Sequence, residues 1–434
     1  MKLMEAKFSF FKAGQGSFYG GRIWQHETNK IITVVYVCGT SPFIAGNSQS
    51  LNNEINQFKH HPYYFPHNDE IELLFISHLD YDHVSGLKRL LTEFKVKNII
   101  LPYIDIRHRQ FFLTSISENN NPDNNLTVED YISFIESPNQ FILENSKDTK
   151  IYFVKPNDKT DIEYQGYDND NQSESVYPRG TLNTEIEELK DRLNVSVYEN
   201  DLQFFIRRNW EFTTYVKSIS DDAINKLHTC LKKKLKKKDN LSLNDLKNIV
   251  TTKRKEAHKC YTDCIDDINS HGLVLLHGPI RFEYLVGRIY SNCELSNFHN
   301  NYHYHRHFYD EHYFNDNNRA MLGTLLFGDT SINLTNNPID FPQGFRDKLV
   351  NVHVVQVPHH GSSKNWDFAV FEALNVGRNI NRWGHPVVAV CNFGYGNKYG
   401  HPSHQVLNDL RSTIFLNTQF SRLNIRYDVI HHII

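Results

Sequence analysis

The apolar residues of this chain fall into short, mostly continuous runs, each closed by a glycine, a proline or a polar cluster. They are Phe8 to Phe11, Ile31 to Val37, Ile71 to Ile76, Val96 to Pro102, Leu273 to Leu276, Leu322 to Phe327, Val352 to Pro358 and Pro386 to Phe393. Their length, β-branched content and lack of alternation predict strands buried on both faces. Helical spacing lies between them. Val84, Leu87, Leu90 and Leu91 follow the Ile71 run, and Val406, Leu407 and Leu410 follow the last one, with Ser403 placed as an N-cap. Asn47 to Glu54 reads as the start of a short helix. Buried strands alternating with amphipathic helices predict an α/β fold.

From about Tyr103 to Asp267 the pattern changes to polar loops and helices. Asn119 to Asn125 and Tyr167 to Ser175 have the Asn/Asp/Ser content of loops. Leu202 to Ile206 and Glu211 to Val216 predict a hairpin around Arg207-Arg208-Asn209-Trp210. Ile224, Leu227, Leu231 and Leu235 mark one face of an amphipathic helix, with Asp221 and Asp222 at its start and Lys232 to Lys234 and Lys236 to Lys238 near its end. That lysine run reads as a solvated helix end, with a phosphate-binding edge as its functional alternative. Phe298 to Phe314 alternates His303, His305 and His307 among aromatics and Arg306. Without cysteines or carboxylates at metal-site spacing it reads as a polar insertion loop, with an accessory metal site, or base stacking by its aromatics and Arg306, as the functional alternatives.

Chemistry concentrates where strands end. The Ile71 run empties into His78-x-Asp80-x-Asp82-His83, two imidazoles and two carboxylates within six residues. Burying them uncompensated is costly, and a divalent cation is the natural compensation. Three later runs also end in ligand-type residues: Gly328-Asp329, His359-His360-Gly361-Ser362 and Gly400-His401-Pro402-Ser403. One polar strand end is ordinary, and any one of these histidines taken singly suits a structural role. Four strand ends carrying carboxylate and imidazole suggest a site along the carboxyl edge of an open sheet, and metal-assisted hydrolysis as the reaction class.

Bulk properties add bounds. The 434 residues, 39% hydrophobic and 13% aromatic, suffice for a large core with one or two domains. The net charge of −3 carries no global basic excess that would advertise nucleic acid, and the 24 histidines suit a metal protein. Cys38, Cys230, Cys260, Cys264, Cys293 and Cys391 form no CxxC pair, and no disulfide framework is visible; Cys260 and Cys264, four apart, read as partly buried thiols. The N-terminal MKLMEAKFSF lacks the apolar core of a signal peptide, and no run approaches a membrane span. A cytoplasmic location, with no membrane partner, is the expectation.

His78-x-Asp80-x-Asp82-His83 resembles the HxHxDH signature of the metallo-β-lactamase superfamily, in the HxDxDH form typical of ComEC-type hydrolase domains and their stand-alone relatives. Leu325-Leu326-Phe327-Gly328-Asp329, Val357-Pro358-His359-His360-Gly361-Ser362 and Tyr399-Gly400-His401-Pro402-Ser403 agree in order, and Gly14-Gln15-Gly16-Ser17 resembles the turn that opens such domains. The resemblance implies an αββα sandwich, with a hydrolase domain at 1–102 and 268–434 and a large, mainly helical insertion at 103–267 acting as lid or substrate arm. It implies two divalent ions, manganese or zinc, with Asp80 as an added hard oxygen donor favouring manganese. His78 and Asp80 would begin one ion site and Asp82 and His83 the other. Asp329 would bridge them, one or both of His359 and His360 would complete them, and His271 is a further candidate. Asp82, His360 and His401 are the candidate catalytic residues, His360 or His401 protonating the leaving oxygen. The substrate class implied is a phosphodiester, single-stranded DNA or RNA, with the lysine run, Arg207-Arg208 and Trp210 as its contacts. The alternatives are a hydrolase of a lactone, thioester, other small ester or cyclic nucleotide, or a weakly active binding module. Val37 departs from the resemblance: relatives place there an Asp that supports the ligand loop.

Overall fold

The apolar runs become the central strands of two sheets that face each other. The computed structural model describes residues 2–41, 47–60, 69–115, 126–156, 164, 176–186, 189, 192–207, 209–218, 221–236, 241–263, 272–280, 284–293, 312–313, 323–331, 341–349, 352–375, 387–410 and 414–430. In chain order the strands are β1 (Lys2–Phe10), β2 (Gly16–Gln25), β3 (Lys30–Thr40), β4 (Glu70–Phe75), β5 (Lys95–Pro102), β6 (Lys150–Val154), β7 (Val176–Arg179), β8 (Val195–Tyr198) and β9 (Gln203–Ile206). They continue with β10 (Trp210–Lys217), β11 (Gly272–Pro279), β12 (Tyr284–Cys293), β13 (His312–Tyr313), β14 (Gly323–Leu326), β15 (Val352–Gln356), β16 (Val388–Asn392), β17 (Ile414–Asn417) and β18 (Ser421–Ile430).

The first sheet runs β13-β12-β18-β1-β2-β3-β4-β5-β6-β8, the second β17-β16-β15-β14-β11-β10-β9-β7. Each is half antiparallel and half parallel. β3, β4, β5, β6 and β8 run parallel in the first sheet, and β14, β15, β16 and β17 in the second. Phe8, Tyr36, Leu73, Phe75 and Ile100 from the first sheet and Phe212, Leu273, Leu275, Leu326 and Val354 from the second form one buried cluster between them. The Tyr36 hydroxyl crosses this layer to donate to the Leu273 carbonyl.

Helices close both outer faces. On the first sheet lie α1 (Asn47–His60), α2 (Tyr81–Val84), α3 (Leu87–Glu93), α4 (Ile106–Arg109), α5 (Val128–Glu136), α6 (Pro138–Asn145), α7 (Asp221–Leu235), α8 (Leu243–Thr252) and α9 (Arg254–Thr262), with a 3-10 turn at Gln110–Ser115. Their apolar faces share a cluster with Val35, Leu74 and Ile99. Helices Gln343–Lys348, Phe368–Asn375 and His404–Leu410 bury Phe345, Val370 and Leu410 against Val274, Leu325 and Ala389 of the second sheet. The result is a mixed α/β sandwich of two large sheets.

Three expectations change. Residues 103–267 are mainly helical where they are described, but they are not set apart from the sheets: β6 and β8 extend the first sheet and β7, β9 and β10 the second. Their strands are short and set among Asn/Asp-rich loops, so periodicity within the chain could not assign them to a sheet. The helix-spaced stretch from Val84 to Leu91 is two helices. Ser85 Oγ accepts from the Thr40 amide and the Gly86 amide donates to the Cys38 carbonyl, so the end of β3 docks at the break. Cys230 and Cys260 form a disulfide joining α7 to α9, where the sequence read unpaired thiols; a pairing 30 residues apart leaves no spacing signature. Cys38 and Cys391 are buried thiols. Among the described residues no helix is long and apolar enough to cross a membrane.

Candidate metal centre

Strand polarity assembles the site. The parallel strands β3, β4, β14, β15 and β16 all deliver their carboxyl ends to one edge of the sandwich, where ligands collect in open α/β sheets. Leaving β4, the chain places His78, Asp80, Asp82 and His83 in the loop and in α2. Leaving β14 it places Asp329, and leaving β15, His359 and His360. The loops are tied together: the Leu273 amide donates to the Ser77 carbonyl at 2.6 Å, and the His359 amide to the Gly328 carbonyl at 3.1 Å. His359 and His360 both take positive φ, 44° and 54°, which side chains of their type seldom adopt. Such strain persists where surrounding structure over-determines it, as at ligand-bearing turns.

The imidazole and carboxylate ends converge on Asp329. Its Oδ2 lies 3.9 Å from His78 Nε2 and 3.7 Å from His359 Nε2. Its Oδ1 lies 3.1 Å from His83 Nε2 and 3.8 Å from His360 Nε2. Asp80 Oδ2 is 3.9 Å from His78 Nε2, and Asp82 Oδ2 is 3.6 Å from His360 Nε2. All of these side chains are buried except Asp82, which is half-buried. Donors about 2.0–2.1 Å from a shared ion sit about 3.3–3.4 Å apart in tetrahedral geometry, close to these spacings.

Two features of the geometry fit a cation. The Nε2 atoms of His83 and His360 are buried and make no hydrogen bond among the described residues, although a carboxylate oxygen lies 3.1 Å from the first. The opposite ring nitrogens are held. His360 Nδ1 meets the Asn392 carbonyl at 2.9 Å and must donate to it. His359 Nδ1 meets Asn365 Oδ1 at 2.7 Å, and Asn365 Nδ2 donates to Ser331, which fixes that oxygen as the acceptor. Ser77 Oγ stands 3.0 Å from His78 Nδ1 and 3.3 Å from His83 Nδ1. A protonated Nδ1 directs the Nε2 lone pair at the centre, the arrangement that orients metal-ligating histidines. His78, His83 and Asp329, and Asp82, His83 and His360, each offer donor atoms within 4.8 Å of one another.

Electrostatics says the same. In the metal-free protein burial, then Asp82, push the Asp80 carboxyl up to about 8. Burial pulls His83 down, yet Asp329 and Asp82 outweigh it and lift it to about 9. Burial opposes ionisation of Asp329, but His83, His359 and His360 hold it well below the carboxylate range. Asp80 and His83 thus both bind protons more tightly folded than unfolded. Their stabilisation is complete below the unfolded values and is lost as pH rises through about 8 and about 9. Cation binding displaces those protons, so its benefit grows over the same interval. The rise in melting temperature on adding saturating manganese is therefore expected to be larger at pH 8.5 than at pH 6.5; an equal rise at both would contradict this account.

The other candidates are distributed unevenly. A cavity of about 400 Å³ opens over Asp80, Asp82 and Asp329, walled by Gln15, Ser115, His258, Lys364, Tyr399 and His401. His401 thus reaches the cavity, its ring 5.8 Å from that of His359, but stays outside the close donor cluster. His271, Arg208, Lys237, Lys238 and the His-rich stretch 298–311 lie outside the described residues. Trp210 cannot stack a base: it is fully buried between the sheets, with Nε1 toward His277 Nδ1. Lys233 and Lys234 are exposed at the end of α7, and Lys236 is exposed just beyond it. Val37 points into the apolar layer between the sheets at a φ of 60°, so its side chain fills core rather than supporting ligands. Supports that the sequence did not single out are Ser77, Asn365, Asn392 and, from α9, Tyr261, whose hydroxyl bonds Asp80. Ser77 adjoins the motif; nothing in the sequence marks the others.

No family model and no curated protein matches the chain.

Proposed function

We propose that the protein is a metal-dependent hydrolase of the metallo-β-lactamase superfamily type, acting on phosphodiesters. The observation that carries this reading is the division of Asp329: one oxygen faces His78 and His359, the other His83 and His360. Asp80 adds to the first set and Asp82 to the second. The two sets are suited to two divalent ions, with Asp329 shared. Ions held there by these residues would lower the pKa of a bound water and stabilise the charge of a phosphodiester displacement. The oxygen-rich donor set favours manganese, with zinc the alternative. His401, on the cavity wall and outside the donor cluster, is the candidate for handing a proton to a leaving oxygen. Lys364 lines the same wall as a cation for an anionic substrate. Single-stranded DNA or RNA is the first substrate class, on the resemblance of the four ligand stretches.

The cavity supports a second reading. At about 400 Å³ it suits a small ester, lactone or cyclic nucleotide. One experiment addresses both. Purified protein loaded with manganese is expected to retain about two ions per chain and to cleave labelled single-stranded nucleic acid faster than a generic carboxylic ester. Ester turnover alone would select the small-molecule reading. Failure to retain any ion after loading would overturn the hydrolase reading itself.

A further inference from the structure

Asp80 receives a hydrogen bond from a helix 181 residues further along the chain. The Tyr261 hydroxyl, on α9, donates to Asp80 Oδ1 at 2.5 Å, while Asp80 Oδ2 lies 3.9 Å from His78 Nε2. A carboxylate turns about its last side-chain bond, so pinning one oxygen decides which one faces the donor cluster. Tyr261 is 1% exposed, and α9 is held on both sides. Cys260, the residue before it, is disulfide-linked to Cys230 of α7. His258, one turn earlier, meets the Ser115 carbonyl through Nδ1 at 3.1 Å. Ser115 Oγ reaches the Tyr131 hydroxyl, which donates to the Leu79 carbonyl beside Asp80. The helical cover therefore grips the ligand loop at two successive residues.

We propose that Tyr261 is a positioning residue that presents Asp80 Oδ2 to a cation, and so sets the affinity of one ion of the pair and not of the other. This rests on the two-ion reading above. The reason for selectivity is geometric: Asp80 approaches the His78 side of the cluster, whereas Asp82, His83 and His360 gather about the other Asp329 oxygen. Supports of this kind change metal affinity by about 10-fold to 100-fold.

The test is calorimetric titration of manganese into metal-stripped wild type, Tyr261→Phe, Asp80→Asn and the double variant, with melting curves and paramagnetic resonance spectra of the loaded proteins. The expected result is a wild type with two bound ions and a spin-coupled spectrum. Tyr261→Phe, melting near wild type, binds one ion unchanged and the other about 10-fold to 100-fold more weakly, and at limiting manganese shows the spectrum of an isolated ion. Because Tyr261 acts through Asp80, the double variant binds no more weakly than Asp80→Asn alone. Tyr261→Phe losing both ions or neither, or a double variant clearly weaker than Asp80→Asn, would overturn the proposal. A wild type that binds no ion would instead bring down the two-ion reading on which it stands.

Discussion

Asp329→Asn is expected to abolish the proposed hydrolysis while leaving the fold intact. The substitution changes little volume and removes one charged oxygen donor from a centre where four histidine Nε2 atoms lie within 3.9 Å of the two carboxylate oxygens. In metal-free protein the loss is softened, because histidines lifted by Asp329 can release their protons once it is neutral. With two cations bound as proposed, the loss would have no such relief: an amide offers a single neutral oxygen where the pair would share an anion. Manganese affinity should fall by more than about 100-fold, beyond the range seen when only a ligand's support is removed. Turnover should fall with it. Lys95→Gln, at the exposed amino end of β5, serves as the control for handling. The measurements are turnover of the best substrate at saturating manganese and circular dichroism during heating. Wild-type turnover in Asp329→Asn would refute the shared-carboxylate mechanism, whatever the fold.

Gly39→Ala is expected to damage the same centre without touching a ligand. Gly39 closes β3 and lies directly on the backbone of the ligand loop. A Cβ there would come 2.6 Å from the His83 carbonyl carbon and 2.7 Å from that of Asp82, and closer still to the Asp82 oxygen, where real contacts stay above 3.0 Å. Neither side can yield easily. β3 is paired on both sides, with β2 and β4, and α2 is bonded back to the end of β3 through Ser85 and Gly86. Overpacking of this kind costs about 1–3 kcal/mol. The displaced segment carries Asp82 and His83, so manganese affinity should fall at least about 10-fold together with the melting temperature. A variant that melts earlier but binds manganese as wild type does would show that α2 tolerates movement and that the centre is less rigidly held than its packing indicates.

The hydrophobic runs by themselves determined the central strands and the alternation with helices. Ile31 to Val37, Ile71 to Ile76, Val352 to Pro358 and Pro386 to Phe393 became β3, β4, β15 and β16, and the Leu202–Val216 region became the β9–β10 hairpin. Burial on both faces leaves a continuous apolar signature that needs no partner to be seen. The potential ligands at the ends of those runs were legible for the same reason: polar residues that must be buried at a strand end stand out against apolar neighbours. What the sequence could not supply was everything that depends on which strand lies beside which. The short strands β6 and β8 carry no address for the first sheet, and β7 and β9 none for the second. Trp210 looked like a contact for substrate and is core, since burial depends on what the second sheet lays over it. Only tertiary structure divided Asp329 between two sets of histidines, fixed His359 and His360 through Asn365 and Asn392, linked Cys230 to Cys260, and brought Tyr261 to Asp80. Periodicity records the environment of one element along its own axis. These contacts join residues from separate elements, and it takes the packing of two sheets and their helical cover to put them within hydrogen-bonding distance.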